Sequence, residues 1–181
     1  MRKVVSVLFT TVDGVVESPD QWQFAWDDEM AALLAGSLER CDAVLLGRGT
    51  YEMWSGYWPN YTGGEDAAFA DWINNSPKYV VSSTLDNVDD WQNSTLTTLA
   101  DIKHLKEGEG KDISVSGSPG LVASLLAEGL LDELTLLINP VVAGGGRKKL
   151  FSDDAALKKL GLVSAQPTST GAIIATYAPS E

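Results

Sequence analysis

Apolar and polar positions along the chain alternate between two periods. Val4 to Phe9 is a short run rich in β-branched residues that ends at Asp13-Gly14, so it predicts a buried first strand closed by a turn. From Asp27 to Arg40 the apolar positions Met30, Leu33, Leu34 and Leu38 recur at helical spacing, with acids in the first turn, predicting the first helix. Ala43 to Leu46 predicts a second strand, which stops at Gly47-Arg48-Gly49-Thr50 before a helical stretch, Tyr51 to Trp54. Trp58-Pro59 and Gly63-Gly64 mark a loop. Beyond it the pattern predicts a helix from Glu65 to Asn74 and a third strand, Lys78 to Val81, closed by Ser82 and Ser83.

The rhythm continues with a helix from Leu99 to Lys106, a short strand from Ile113 to Val115, and a helix opening at Pro119. Leu131 to Val142 is long and apolar, and either a central strand or an interface would account for it. A short helix is predicted from Ala155 to Leu160. The strands Leu162 to Gln166 and Ala172 to Tyr177 then form an antiparallel hairpin across Thr168 to Gly171. Strands alternating with helices imply an α/β fold: a mostly parallel central sheet with helices on both faces and an antiparallel C-terminal hairpin. No linker or repeat divides the 181 residues, so one domain, 1–181, is expected.

Composition narrows the function classes. A formal net charge of −12 repels a phosphate backbone, and the 13 Lys and Arg form no stripe to offset it, so nucleic acid is not expected as a partner. A few local amides and one or two cations are enough to hold an anionic cofactor even so. One cysteine, Cys41, and one histidine, His104, exclude a disulfide framework and a zinc site built from those ligands, and a reducing cytoplasm fits. The apolar run near the N-terminus is short and nothing later reaches spanning length, so no membrane is expected.

A Rossmann fingerprint would follow the first strand, where the chain instead reads Phe9-Thr10-Thr11-Val12-Asp13-Gly14. Glycines appear after two later strands, in Leu46-Gly47-Arg48-Gly49-Thr50 and Ser116-Gly117-Ser118-Pro119-Gly120, each before a predicted helix where free amides can meet a phosphate. By themselves Gly47 and Gly49 read equally well as a tight turn with a solvated Arg48.

The segments TTVDGVV, LLGRGTYEMWSGYWP, KYVVSSTLD and ISVSGSPGLVASLLAEGLLDELTLLINPVVAGGGRKKLF resemble, in that order, the dihydrofolate-reductase-like family. The branch is that of stand-alone relatives of the riboflavin-biosynthesis reductase domain, the C-terminal part of the deaminase-reductases. The resemblance implies a dihydrofolate-reductase-like fold, an NADPH-dependent oxidoreductase and a homodimer. It implies that Gly47, Arg48, Gly49 and Thr50 hold cofactor phosphates, with Thr50 as helix cap and ligand together. It implies that Ser82 and Ser83 meet the adenosine ribose or its 2′-phosphate, and that Gly117, Ser118 and Gly120 form the turn beneath the pyrophosphate and nicotinamide. Relatives carry consecutive glycines at that turn; here Ser118-Pro119 replaces them, and Pro119 removes one N–H.

Asp13 is placed by the same resemblance beside the substrate, as a hydrogen-bond partner or proton relay; an ordinary Asp-Gly turn is the bland reading. Trp22 and Trp26, in the loop before the first helix, are candidates to stack on a flat substrate ring, while Trp54 and Trp58 read as structural. Gly144-Gly145-Gly146-Arg147 reads as a structural turn, His104 as a surface residue and Cys41 as a small buried one. The zinc motif of a deaminase is absent. The expectation is therefore an NADPH-dependent reductase acting on a small pteridine- or pyrimidine-like acceptor of riboflavin-pathway type. The alternative is a non-catalytic nucleotide-binding or scaffold protein with the same fold.

Overall fold

The first apolar run becomes the middle of the sheet. The computed structural model describes residues 1–180, and in it β1 (Val4–Thr11) lies between β5 (Asp112–Val115) and β6 (Glu133–Asn139), parallel to both. On the β5 side follow β2 (Cys41–Gly47), β3 (Lys78–Val81) and β4 (Ser94–Thr97), all parallel. On the β6 side lie β8 (Ile173–Pro179) and then β7 (Leu160–Pro167), both antiparallel to their neighbours. The full order is β4-β3-β2-β5-β1-β6-β8-β7. The chain runs outward from β1 to one edge and returns to insert β5 beside it, so the carboxyl ends of β2, β5 and β1 meet where strand order reverses, the usual ligand crevice of an open α/β sheet.

Alternation of side chains gives the sheet two different faces. On one, Val4, Leu8, Leu45, Ile113 and Val115 pack under α4 (Ile102–Glu107) and α5 (Pro119–Ala127), whose Leu121, Val122, Leu125 and Leu126 are buried. On the other, two separate clusters form. Val44, Leu46 and Val80 pack with Tyr51 of α2 (Arg48–Trp54) and Ala70 and Ile73 of α3 (Ala67–Asn75). Val7, Phe9, Leu137 and Ile174 pack beneath α1 (Asp28–Arg40), whose N-cap is the Asp27 carboxylate, accepting from Met30 N at 2.9 Å.

Several expectations are corrected. Strand β4 was not predicted, because Ser94-Thr95-Leu96-Thr97 has no apolar alternation; pairing with β3 alone makes it a strand. No helix forms from Ala155 to Leu160: residues 155–159 are irregular chain, Leu157 is 98% exposed and Leu160 opens β7. Without an apolar face to bury, a six-residue helix is too short to persist. Helix α3 starts two residues later than predicted, at Ala67, and α2 three residues earlier, at Arg48. Leu131 to Val142 contains a central strand, β6. Among the described residues no helix is long and apolar enough to cross a membrane.

Candidate functional site

Strands β2 and β5 are neighbours and parallel, so the turns that leave their carboxyl ends emerge side by side, and Ser118 ties them together. Its Oγ accepts from Gly47 N at 2.8 Å; its own amide and hydroxyl donate to Thr50 Oγ1 at 3.0 and 2.8 Å. Gly117 and Ser118 both sit in the left-handed region, at φ 57° and 54°. A Cβ on Gly117 would lie 3.2 Å from Thr50 Cγ2, so glycine is required there on both counts. For Ser118 that conformation costs roughly 1–2 kcal/mol, offset by three hydrogen bonds of about 1 kcal/mol each. Thr50 is the third residue of α2 and not its cap; Gly47 holds the cap position, and the Thr50 hydroxyl braces the other turn instead.

Gly49 and Gly120 face open space, with nothing within 4 Å of where a Cβ would be. Both lie in first helical turns, whose amides lack intrahelical partners. The Arg48 side chain is 57% exposed and its nearest acid, Glu52, is 3.9 Å away, so its guanidinium is solvated and available. Between these turns and α5 runs a shallow open groove of about 230 Å³, lined by Gly47, Val81, Leu99, Gly120, Leu121 and Ser124: glycines at its head, apolar side chains along its length. That shape matches a flat base with a phosphate at one end. Ser82 lies at the adjoining end of β3, but its Oγ accepts from Thr84 N and Leu85 N, both at 3.1 Å, and so is engaged in its own turn. Ser83 is exposed.

Asp13 follows β1 as expected, with its oxygens already engaged. Its carboxylate accepts from Thr11 Oγ1 at 2.6 Å, Gly144 N at 2.8 Å and Ala143 N at 3.0 Å. The Thr11 hydroxyl first, then the two amides, hold its pKa down to about 2. A group that acidic keeps no proton to donate near neutral pH, so the proton-relay role is not supported; Asp13 anchors the turn of Gly144, Gly145 and Gly146, all at positive φ. The carboxyl's pKa in the fold lies below its unfolded value of about 3.8. Its stabilising contribution is therefore complete above pH 4 and lost as pH falls toward 2. Thermal melts of wild type and Asp13→Asn should differ most above pH 4 and converge near pH 2; a constant gap would contradict this anchoring.

The two loop tryptophans part company. Trp22 is 3% exposed and its Nε1 donates to Glu17 O at 2.7 Å, so it packs the loop and offers no ring to a ligand, a correction to its expected role. Trp26 is 56% exposed, its ring 6.5 Å from that of Phe9 at the carboxyl end of β1. Trp54, read as structural, has Cζ2 3.5 Å from the Gly117 Cβ position, which puts its indole at the edge of the site. Sequence reasoning missed it because nothing local signals that α2 leans on the β5 turn. Cys41 is buried, and burial first pushes its thiol up to about 11, which rules out a neutral-pH nucleophile. His104 is exposed on α4 beside Glu107.

Comparison with known proteins bears on the family and the fold. The RibD C-terminal domain family matches residues 2–174. An uncharacterized Bacillus subtilis protein, YyaP, is 30% identical over 183 residues, covering 97% of this chain and 94% of its own. Among solved structures, a putative riboflavin biosynthesis protein from Shewanella sp. PV-4 superposes with a TM-score of 0.71 at 19% identity, covering 99% of both chains. Dihydrofolate reductase from Enterococcus faecalis, solved with NADP(H), gives 0.65 at 12% identity, covering 99% of this chain and 97% of that one. The fold is thus dihydrofolate-reductase-like, and the chain belongs to the RibD C-terminal domain family.

Proposed function

We propose that the protein is an NADPH-dependent reductase that delivers hydride to a small pteridine- or pyrimidine-like acceptor of riboflavin-pathway type. The observation that carries this reading is the Ser118 joint. It holds two helix-starting turns on adjacent parallel strands in one cradle, with open space at Gly49 and Gly120 and an exposed Arg48 beside it. Arg48 and the first-turn amides around Gly49 and Gly120 would hold the cofactor phosphates, charge-assisted bonds being the strongest available there. Ser83 would meet the ribose end. Gly117, bare of a side chain, and the indole of Trp54 would border the nicotinamide.

When bound, the cofactor supplies the hydride. The chain's own task is to position two reactants and keep them out of bulk water, a contribution that needs no acid–base dyad. With Asp13 held as an anion, the proton that completes reduction comes from solvent at the carboxyl edge. A nucleotide binder without turnover is the second reading, and Pro119 favours it, because it removes one N–H from the cradle.

Titration calorimetry tests the assignment. NADPH is expected to bind wild type and to bind Arg48→Ala about tenfold more weakly, roughly 1.4 kcal/mol, with NADH less affected. Negligible heat from both nucleotides would reject it. Binding without NADPH oxidation across pteridine and pyrimidine acceptors would favour the second reading.

A further inference from the structure

The C-terminal hairpin ends the sheet with a strand that the rest of the chain leaves open. In β7 the residues from Leu162 to Pro167 are all exposed, so both faces of the strand meet solvent. An antiparallel sheet ordinarily wets one face and packs the other. Register shows which face lacks its cover. Leu137 and Ile174, under α1, stand in one row with Gln166, and Thr135 and Thr176 in another with Ser164. The α1 side of β7 is therefore polar. Its opposite side carries Leu162 beside Tyr177, Ala165 beside Ala175, and Pro167 beside Ile173. Leu162 is 61% exposed and Ile173 44%, and Val163, in the bulge after Leu162, is 60% exposed. Strand β7 thus alternates like a strand that covers a core, while its apolar row faces water.

Charge marks the same surface. Charged residues make up 21% of the sequence, yet none occurs from Leu160 to Ser180. Lys158 and Lys159 precede one end of the hairpin, and the Glu29 carboxylate meets its turn at Ser169. The other edge of the sheet is built differently. Strand β4 has four residues, Ser94, Thr95, Leu96 and Thr97, and Asp89, Asp90 and Asp101 flank it in the chain. Short polar edges bordered by charge resist pairing, whereas a long, uncharged and apolar edge invites it. Leu131 to Val142, the other apolar stretch that could have served an interface, forms β6 inside the sheet.

We propose that the hairpin face bearing Leu162, Ala165, Pro167 and Ile173 is where a second copy of the chain docks, about a twofold axis that sets β7 against β7. Two copies at −12 each repel one another, so they can meet closely only where charge is absent, and the hairpin is such a place. A partner of different sequence would be drawn to this chain by positive charge and would meet it on an acidic surface instead. Twofold docking needs a surface complementary to itself. An uncharged apolar row beside the open amides and carbonyls of an edge strand provides one. The hairpin lies beyond β1 and β6 from the nucleotide cradle at β2 and β5, so docking there is independent of the reductase reading.

Sedimentation velocity on the full chain reads this directly. Wild type is expected to sediment as a dimer at micromolar concentration. Raising the salt from about 50 mM to about 500 mM should tighten the dimer roughly threefold, because salt screens the repulsion and finds no interfacial ion pair to weaken. Leu162→Glu/Ile173→Glu is expected to weaken it on the order of a hundredfold, since twofold symmetry brings the new charges together. Leu96→Glu, on the β4 edge, should leave it unchanged. If the double variant does not fold, Leu162→Ser alone is expected to weaken the dimer about tenfold through lost apolar burial. A monomeric wild type, a dimer that salt loosens, one that survives the hairpin substitutions, or one lost equally in Leu96→Glu would each overturn the proposal and leave the reductase reading standing.

Discussion

Replacing Gly120 with glutamate is expected to abolish NADPH binding, at least a hundredfold in Kd, without loss of stability. Gly120 is the second residue of α5, has ordinary helical geometry, is exposed, and has nothing within 4 Å of its Cβ position, so a side chain enters the head of the groove and strains nothing. Glycine is the poorest helix former after proline, and an acid in the first turn interacts favourably with the helix dipole. The folded protein should therefore gain on the order of 0.5–1 kcal/mol. The same carboxylate would stand where the phosphates are proposed to lie and repel them. Gly120→Ala should keep the stability gain and weaken binding far less, separating charge from bulk. Urea unfolding read beside NADPH titration tests both halves, and a glutamate variant that binds NADPH like wild type would remove the groove from the site.

The largest stability effect is expected at Lys78, which is fully buried and, among the described residues, has no carboxylate partner. Its ammonium donates to three backbone carbonyls where α3 ends, Ile73 O at 2.8 Å, Ser76 O at 2.9 Å and Asn74 O at 3.2 Å, and lies 4.7 Å from the centre of the Trp91 ring. Helix ends leave carbonyls without partners, and this side chain supplies them from β3. Lys78→Ala strands those carbonyls and opens a cavity, and is expected to destabilise by about 3–5 kcal/mol. Lys78→Met refills the space but not the hydrogen bonds, and should lose about half as much. Burial pulls the Lys78 pKa down to about 8 from 10.5. Between those values the unfolded chain binds the extra proton, so this group's contribution makes stability rise with pH from about 8 to 10.5. Urea midpoints across that range should rise in wild type relative to Lys78→Met; parallel profiles would show that the group does not titrate there.

Much of this architecture is legible in the chain. The runs at Val4, Ala43, Lys78 and Ile113, the spacing of Met30, Leu33, Leu34 and Leu38, and Pro119 at a helix start each encode a local preference that the fold obeys. The elements that escaped are those whose state depends on a distant partner. Ser94 to Thr97 is a strand only because β3 offers its edge, and Ala155 to Leu160 fails as a helix because no surface receives it. The site divides in the same way. Gly47, Gly117 and Gly120 could be marked from glycine placement and family resemblance. That Thr50 braces Ser118 rather than capping its own helix, that Asp13 is spent on the Gly144 turn, and that Trp22 is buried while Trp54 borders the site could not.

Periodicity and turn residues by themselves determined the α/β class, the order of most strands and helices, and the two glycine turns, because those properties depend on residues within a few positions of one another. The tertiary structure alone decided which strand lies beside which. By inserting β5 between β2 and β1 it brought residues 47 and 118 into hydrogen-bond contact. The physical reason is that adjacency in a sheet is set by contacts between segments some 70 residues apart, for which no local pattern carries the information.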